Sequence, residues 1–356
     1  MKKSSVEFFK RLLALAGPSG FEAAPARAWR EEAEKFADRV WADVAGNSFA
    51  ALEPDRRPRV MLAGHIDEIG LMVNHIDDEG FLYFSAIGGW DPEIIVGQRV
   101  QILTRDGPLP GLVGKKAIHL QEKEEREKSA KVKDLWIDIG AADGDDARAR
   151  VRVGDAAVLD APVLELPNSR ISSRAIDNRM GAFVALEALR RLAAKRPGVG
   201  VVAVVTAQEE ISLSSGGGAR SGAFGLDPDV AVVIDVTHAT DYPGAEKKGH
   251  GDHRLGGGPV LSRGSSVNPV LFERMAEIAE RENIPFSIEA APGRTSTDAD
   301  NVAMARSGIA TALVSVPNRY MHSPNEMISL EDLDRAAELI AATVRTLSSE
   351  DDFVPA

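Results

Sequence analysis

The chain has no cysteine among its 356 residues. That excludes disulfides and thiolate metal sites, so any ion must be held by His, Asp and Glu. Positive charge is also in short supply. Lys and Arg number 42 against 54 Asp and Glu, a net charge of −12 at pH 7. Nucleic acid and anionic membranes are therefore poor partners. No apolar run approaches membrane-spanning length. The N-terminal MKKSSVEFFKRLLALAG starts basic, but Glu7, Lys10 and Arg11 interrupt its apolar run, so it is no signal-peptide core. Its spacing instead predicts a helix over 4–16, with Val6, Phe9, Leu12, Leu13 and Ala16 on one face and Ser4 or Ser5 as N-cap. The expected compartment is the cytoplasm. Internal repeats and low-complexity tracts are absent. The glycine runs SSGGGA and LGGGP lack the Lys-Ser/Thr ending of a nucleotide loop and read as tight backbone passages near a site.

What is present fits an ordinary globular protein, with 44% hydrophobic and 27% charged residues. Helical and strand patterns alternate at first: a helix over 25–36 follows the turn GPSG, then the buried strand RVMLAG. Between 71 and 163 the pattern changes to short alternating segments such as LMVNHI, GFLYFSAI and QRVQILT, separated by Gly-rich turns. The charged stretch QEKEEREKSAKVKD within them reads as a solvated loop or helix. From 164 onward the α/β pattern resumes, with helix DNRMGAFVALEALRRLAAK, strands VGVVAVVTA and VAVVIDV, helix PVLFERMAEIAERE, strand ATALVSV and a last helix from about Glu331. The simplest reading is an α/β domain, 1–70 and 164–356, split by a β-rich insertion, 71–163.

Ligand sites in open α/β sheets lie beyond the carboxyl ends of the strands. Four predicted strands end in candidate groups: His65 with Asp67, Glu209 with Glu210, Asp235, and His322. Asp177 sits where a helix begins. Each motif has an ordinary explanation alone: a surface pair, a helix N-terminus, a cap or a turn. Their convergence points to a two-metal hydrolytic site for Zn²⁺, Co²⁺ or Mn²⁺. Adjacent glutamates then divide the work, one as ligand and one as general base. Asp67 would orient His65 through the imidazole's other nitrogen. His75 and His119 read as structural or surface residues, and GHGDH, with His250 and His253, as a flexible loop.

The motifs GPSGFE, AGHIDEIGLMV, LWIDIGA, SRAIDNRMG, TAQEE, DVTHATDYPG, LGGGPVLSRGSSVNP and NRYMHSPNEMISLEDL span nearly the whole chain. Together they resemble the dinuclear metallo-aminopeptidases that include glutamyl, deblocking and tetrahedral aminopeptidases. The resemblance implies a zinc-exopeptidase-like α/β/α catalytic domain interrupted by a barrel-like dimerisation domain. It assigns His65 and Asp235 to the first metal, Glu210 and His322 to the second, and Asp177 to both. Glu209 becomes the general base acting on a metal-bridging water, and Asp67 the orienter of His65. The implied activity is removal of N-terminal residues from short peptides, using two divalent ions per subunit. The implied assembly is a dimer or a tetrahedral dodecamer. A deacylase of N-acylated amino acids or peptides and a catalytically weak peptide-binding relative are the alternatives. After the base the chain reads EEISLSSGGGAR, longer and richer in Ser and Gly than is usual in relatives, and GRTSTDAD also carries extra Ser and Thr near the expected substrate pocket.

Overall fold

The computed structural model describes residues 1–212 and 216–355. The three residues omitted from the middle, 213–215, belong to the Ser/Gly-rich stretch after Glu210, so that part of the departure lies outside the described residues.

The chain opens with helices α1 (Lys3–Ala14) and α2 (Ala23–Ala33). Helix α1 buries Phe8, Phe9, Leu12 and Leu13, while Val6 is half-buried and Ala16 lies beyond its end. The expected serine cap is not used. The helix starts earlier, behind Lys2, which puts Ser4 and Ser5 inside its first turn, and Ser5 is buried there.

Strands β1 (Arg39–Ala42), β2 (Ser48–Leu52) and β3 (Arg59–His65) come next. Six strands then close a barrel in the order β4-β5-β8-β7-β6-β9. They are β4 (Gly70–Ile76), β5 (Leu82–Ile87), β6 (Arg99–Thr104), β7 (Gly107–Gly114), β8 (Trp136–Asp138) and β9 (Ala156–Leu159). Closure removes the exposed sheet edges. The inward residues, among them Leu71, Leu82, Ile102 and Ile137, form the barrel's own core. The charged stretch between β7 and β8 is exposed and includes one helical turn, Lys123–Arg126.

The main elements that follow are β10 (Leu164–Leu166), β11 (Arg170–Ser173), α3 (Ile176–Ala194), β12 (Gly200–Thr206), α4 (Gly217–Leu226), β13 (Val230–His238), β14 (Val260–Gly264), α5 (Pro269–Arg281), β15 (Ser287–Ala291), α6 (Asp298–Ala303), β16 (Ala310–Asn318), β17 (Glu326–Ser329) and α7 (Leu330–Thr346). Eight strands form one sheet in the order β1-β2-β12-β3-β13-β16-β14-β15, with β12, β3, β13 and β16 parallel at its centre.

These central strands are covered on both faces, which is why they read as unbroken β-branched runs. Alternate residues go to opposite sides. Leu62, Val201, Ala203 and Val232 join the core under α1, α2, α3, α5 and α7. Met61, Val202, Val204 and Val233 join the smaller core under α4 and α6. Gly64 lets β3 press against α3, since a Cβ there would stand 2.5 Å from the Gly181 carbonyl carbon and 2.7 Å from the Ala182 nitrogen. That close approach sets His65, the next residue, against the first turn of α3. Among the described residues no helix is long and apolar enough to cross a membrane.

Candidate metal centre

The parallel strands deliver their polar ends to one edge of the sheet. His65 closes β3 directly beside Thr206, the last residue of β12, so the following Glu209 and Glu210 turn over the same edge. Asp235 lies within β13, paired with Ser315 of β16. His322 follows β16, and Asp177 stands at the start of α3.

The start of α3 is not regular. Ala175 is left-handed (φ 59°, ψ 18°), Asp177 and Asn178 leave helical geometry, and the peptide between them is cis. Asn178 fixes the turn by donating to the Ile234 carbonyl at 2.8 Å and accepting from the Gly181 N–H at 2.9 Å. Glu68 fixes it from outside. Its buried carboxylate binds Arg174 and, at 2.7 Å, Arg179, the residues that flank this turn. Gln208, Tyr320 and His322 are also left-handed (φ 62°, 61° and 58°). Such non-glycine conformations cluster where surrounding structure over-determines a site.

Asp177 divides its two oxygens. Oδ1 lies 3.2 Å from His65 Nε2 and Oδ2 lies 3.5 Å from His322 Nε2. Asp235 Oδ1 lies 4.0 Å from His65 Nε2, and Glu210 Oε2 lies 3.3 Å from His322 Nε2. The result is two donor groups, His65–Asp177–Asp235 and Asp177–Glu210–His322, each with ligand atoms within 4.8 Å of one another. Asp177 belongs to both. Glu209 belongs to neither, yet its Oε2 lies 3.7 Å from His65 Nε2.

The chemistry of this donor set fits divalent cations. Burial pushes the Glu209 carboxyl up to about 10; His65 opposes that, and the Asp235, Asp298 and Glu210 carboxylates add to it. Burial likewise holds Asp235 well above the usual range, with Asp177 adding to the effect against His65. Crowded buried carboxylates of this kind are favoured by a cation between them. Glu210 Oε1 is a buried acceptor with no hydrogen-bond partner, the kind of group a metal would satisfy.

Asp67 does more than the sequence suggests. Its Oδ1 lies 3.2 Å from His65 Nδ1, although that nitrogen is not aligned for a hydrogen bond. Asp67 also accepts from the Glu209 N–H at 3.1 Å, the Glu210 N–H at 3.2 Å and the Ser19 hydroxyl at 2.6 Å. One carboxylate therefore ties the backbone of Glu209 and Glu210 to the residues just after β3. Glu326, which sequence reasoning missed, plays the matching part opposite. It accepts from the Asp177 N–H and the His322 N–H, both at 2.9 Å. Glu326→Ala should leave two N–H groups unpaired, one of them fully buried. We expect a loss of about 2–4 kcal/mol in denaturant unfolding and, where a divalent ion is taken up by the group that includes His322, weaker binding of it. Metal titration checks the second effect.

His322 Nδ1 meets the Gly89 carbonyl at 2.7 Å, so the segment after β5 helps orient this imidazole. Of the other histidines, His238 lines the cavity beside these groups and the rest lie elsewhere. His75 and His119 are exposed. His250 is exposed with its ring 5.7 Å from that of His238, and His253 is buried with Nδ1 2.8 Å from Ser287 Oγ. Neither donor group includes any of them. Beside the two donor groups lies a cavity of about 430 Å³, lined by their residues, by residues of β13, β14 and β15 and by the segment 292–297.

Comparison with known proteins gives consistent matches. The family model described as M42 glutamyl aminopeptidase matches residues 46–339. A lysyl aminopeptidase from Pyrococcus furiosus is 35% identical over 353 residues, covering 98% of this chain and 99% of its own length. The crystal structure of a TET aminopeptidase from a marine sediment Thaumarchaeota archaeon is similar with a TM-score of 0.92 at 34% identity, covering 98% of this chain and 97% of that one. The TET1 peptidase of Pyrococcus horikoshii, described as assembling into a tetrahedron or a large octahedral shell, is similar with a TM-score of 0.84 at 31% identity, covering 96% of this chain and 100% of that one.

Proposed function

Because the chain belongs to the M42 glutamyl aminopeptidase family, and so to the metal-dependent aminopeptidases, we propose that these two donor groups are its dinuclear catalytic site. His65 and Asp235 would hold one divalent ion, Glu210 and His322 the other, and Asp177 would join both. Zn²⁺ or Co²⁺ suits His and carboxylate donors best, with Mn²⁺ also accepted. When bound, the ions supply Lewis acidity toward the scissile carbonyl and toward water.

The chain's own residues carry the proton. Glu209 Oε2 stands 3.7 Å from His65 Nε2 of the first donor group while Glu209 joins neither group, and this is the observation that carries the reading. Its carboxylate takes a proton at Oε2 from the attacking water and returns it to the leaving amine. Asp67 keeps Glu209 in place through the Glu209 backbone N–H.

The proposal extends to organisation. Residues 1–70 and 164–356 form the catalytic part, and 71–163, which contains nearly all of the barrel, forms the dimerisation part. By analogy with the Pyrococcus horikoshii relative, the protein self-associates, as a dimer or a tetrahedral dodecamer. The substrates are short peptides.

The test is amino-acid release from short peptides with free or acetylated N-termini, by chelated enzyme resupplied with Zn²⁺, Co²⁺ or Mn²⁺. Release from free N-termini only, restored by metal, is the expected result. Cleavage confined to blocked peptides would contradict it and favour a deacylase.

A further inference from the structure

The family does not settle which N-terminal residue is removed, but the cavity beside the donor groups contains a feature that bears on it. Five carboxylates line this cavity. Four of them, Asp177, Glu209, Glu210 and Asp235, belong to the site already described. The fifth is Glu289, on the edge strand β15.

Glu289 is tied to the ligand strand. Thr237 follows Asp235 by two positions on β13 and so faces the same side. Its hydroxyl donates to Glu289 Oε1 at 2.7 Å. The buried Ser262 hydroxyl donates to Oε2 at 3.4 Å. Two hydroxyls orient this carboxylate without neutralising it. Among the described residues no ion pair is made with Glu289, whereas Arg294, the cavity's arginine, is paired with Asp300 at 3.5 Å. Ala290, Ala291, Pro292, Leu313 and Met321 supply apolar wall in the same cavity. An aliphatic stem ending in a cation matches such a lining: the methylenes lie on the wall and the charge meets Glu289.

We propose that Glu289 is a specificity-determining residue that selects peptides with a cationic N-terminal side chain, lysine or arginine. This rests on the aminopeptidase reading above. Glu289 favours Lys and Arg by a charge-assisted contact in a half-buried place, and it disfavours Glu and Asp by repulsion, so discrimination has both an attractive and a repulsive part. A leucine N-terminus fills the apolar wall but leaves the carboxylate unpaired.

The experiment compares kcat/KM of the metal-loaded enzyme on peptides that differ only in the first residue: Lys, Arg, Leu or Glu. Wild type, Glu289→Gln and Glu289→Lys are run side by side, with metal content measured for each. Calorimetric binding of free L-lysine and L-norleucine gives a readout apart from turnover. Wild type should rank Lys and Arg above Leu, and Leu above Glu. Glu289→Gln should lower the Lys-to-Leu ratio by about tenfold or more and remove the binding advantage of lysine over norleucine. Glu289→Lys should raise Glu relative to Lys. A wild-type ranking with Glu at or above Lys would overturn the proposal, even if neither variant folds. So would an unchanged ratio in Glu289→Gln. An equal loss on all four peptides would also overturn it, because Glu289 would then serve the shared α-amino group. Absence of release from every free N-terminus would instead contradict the aminopeptidase reading, so the two failures are distinct.

Discussion

Glu209→Gln should lower kcat on a free-N-terminus peptide by about 10²–10⁴-fold while metal content stays unchanged. The substitution keeps size and shape and removes only the ability to take and return a proton. Metal binding survives because Glu209 belongs to neither donor group, and its backbone N–H still reaches Asp67 at 3.1 Å. KM should change little. Metal analysis with steady-state kinetics checks both parts. Loss of metal together with rate would make Glu209 a ligand and remove the base from the account.

Asp177→Asn should have the opposite signature, with the metal going first. Asp177 turns Oδ1 toward His65 and Oδ2 toward His322, so each oxygen serves a different donor group. Asparagine keeps one oxygen and puts an NH₂ where the other was, and an NH₂ cannot ligate a cation. Affinity for at least one ion should fall by about 10²-fold or more, and turnover should fall with it. Stability in the absence of metal should change far less, because Asn178 and Glu68 hold the turn independently of the Asp177 side chain. Equilibrium dialysis against a metal buffer, followed by thermal unfolding of the metal-free protein, separates the two effects. Two ions bound at wild-type affinity would show that Asp177 bridges nothing.

The sequence exposes the parts of this site that sit on regular elements. His65, Asp235 and the Glu209–Glu210 pair stand out because buried strands are uniform, so a polar residue within them or just past their ends is conspicuous. The barrel is visible as short alternating segments between Gly-rich turns, since each strand needs one face inward. Less of the supporting frame can be read. Glu326 acts on the backbone of residues 149 and 4 positions away, through N–H groups that every residue has. Glu68 acts through Arg174 and Arg179, more than 100 positions distant. The break at the start of α3 turns on a left-handed Ala175, and neither Gly nor Pro marks it. Glu289 looks like an ordinary polar residue on an edge strand; only the fold sets it against Thr237. The N-cap of α1 fails for a simpler reason. Lys2 offers no capping side chain, and the helix begins there because Phe8, Phe9, Leu12 and Leu13 need burial more than the end needs a cap.

The central claim is that two ions share Asp177. Anomalous diffraction at the zinc edge, from crystals grown with Zn²⁺, tests it most directly. The account predicts two peaks per chain, one contacting His65 and Asp235, the other contacting Glu210 and His322, and both contacting Asp177. A single peak, or two peaks that do not both reach Asp177, would contradict it.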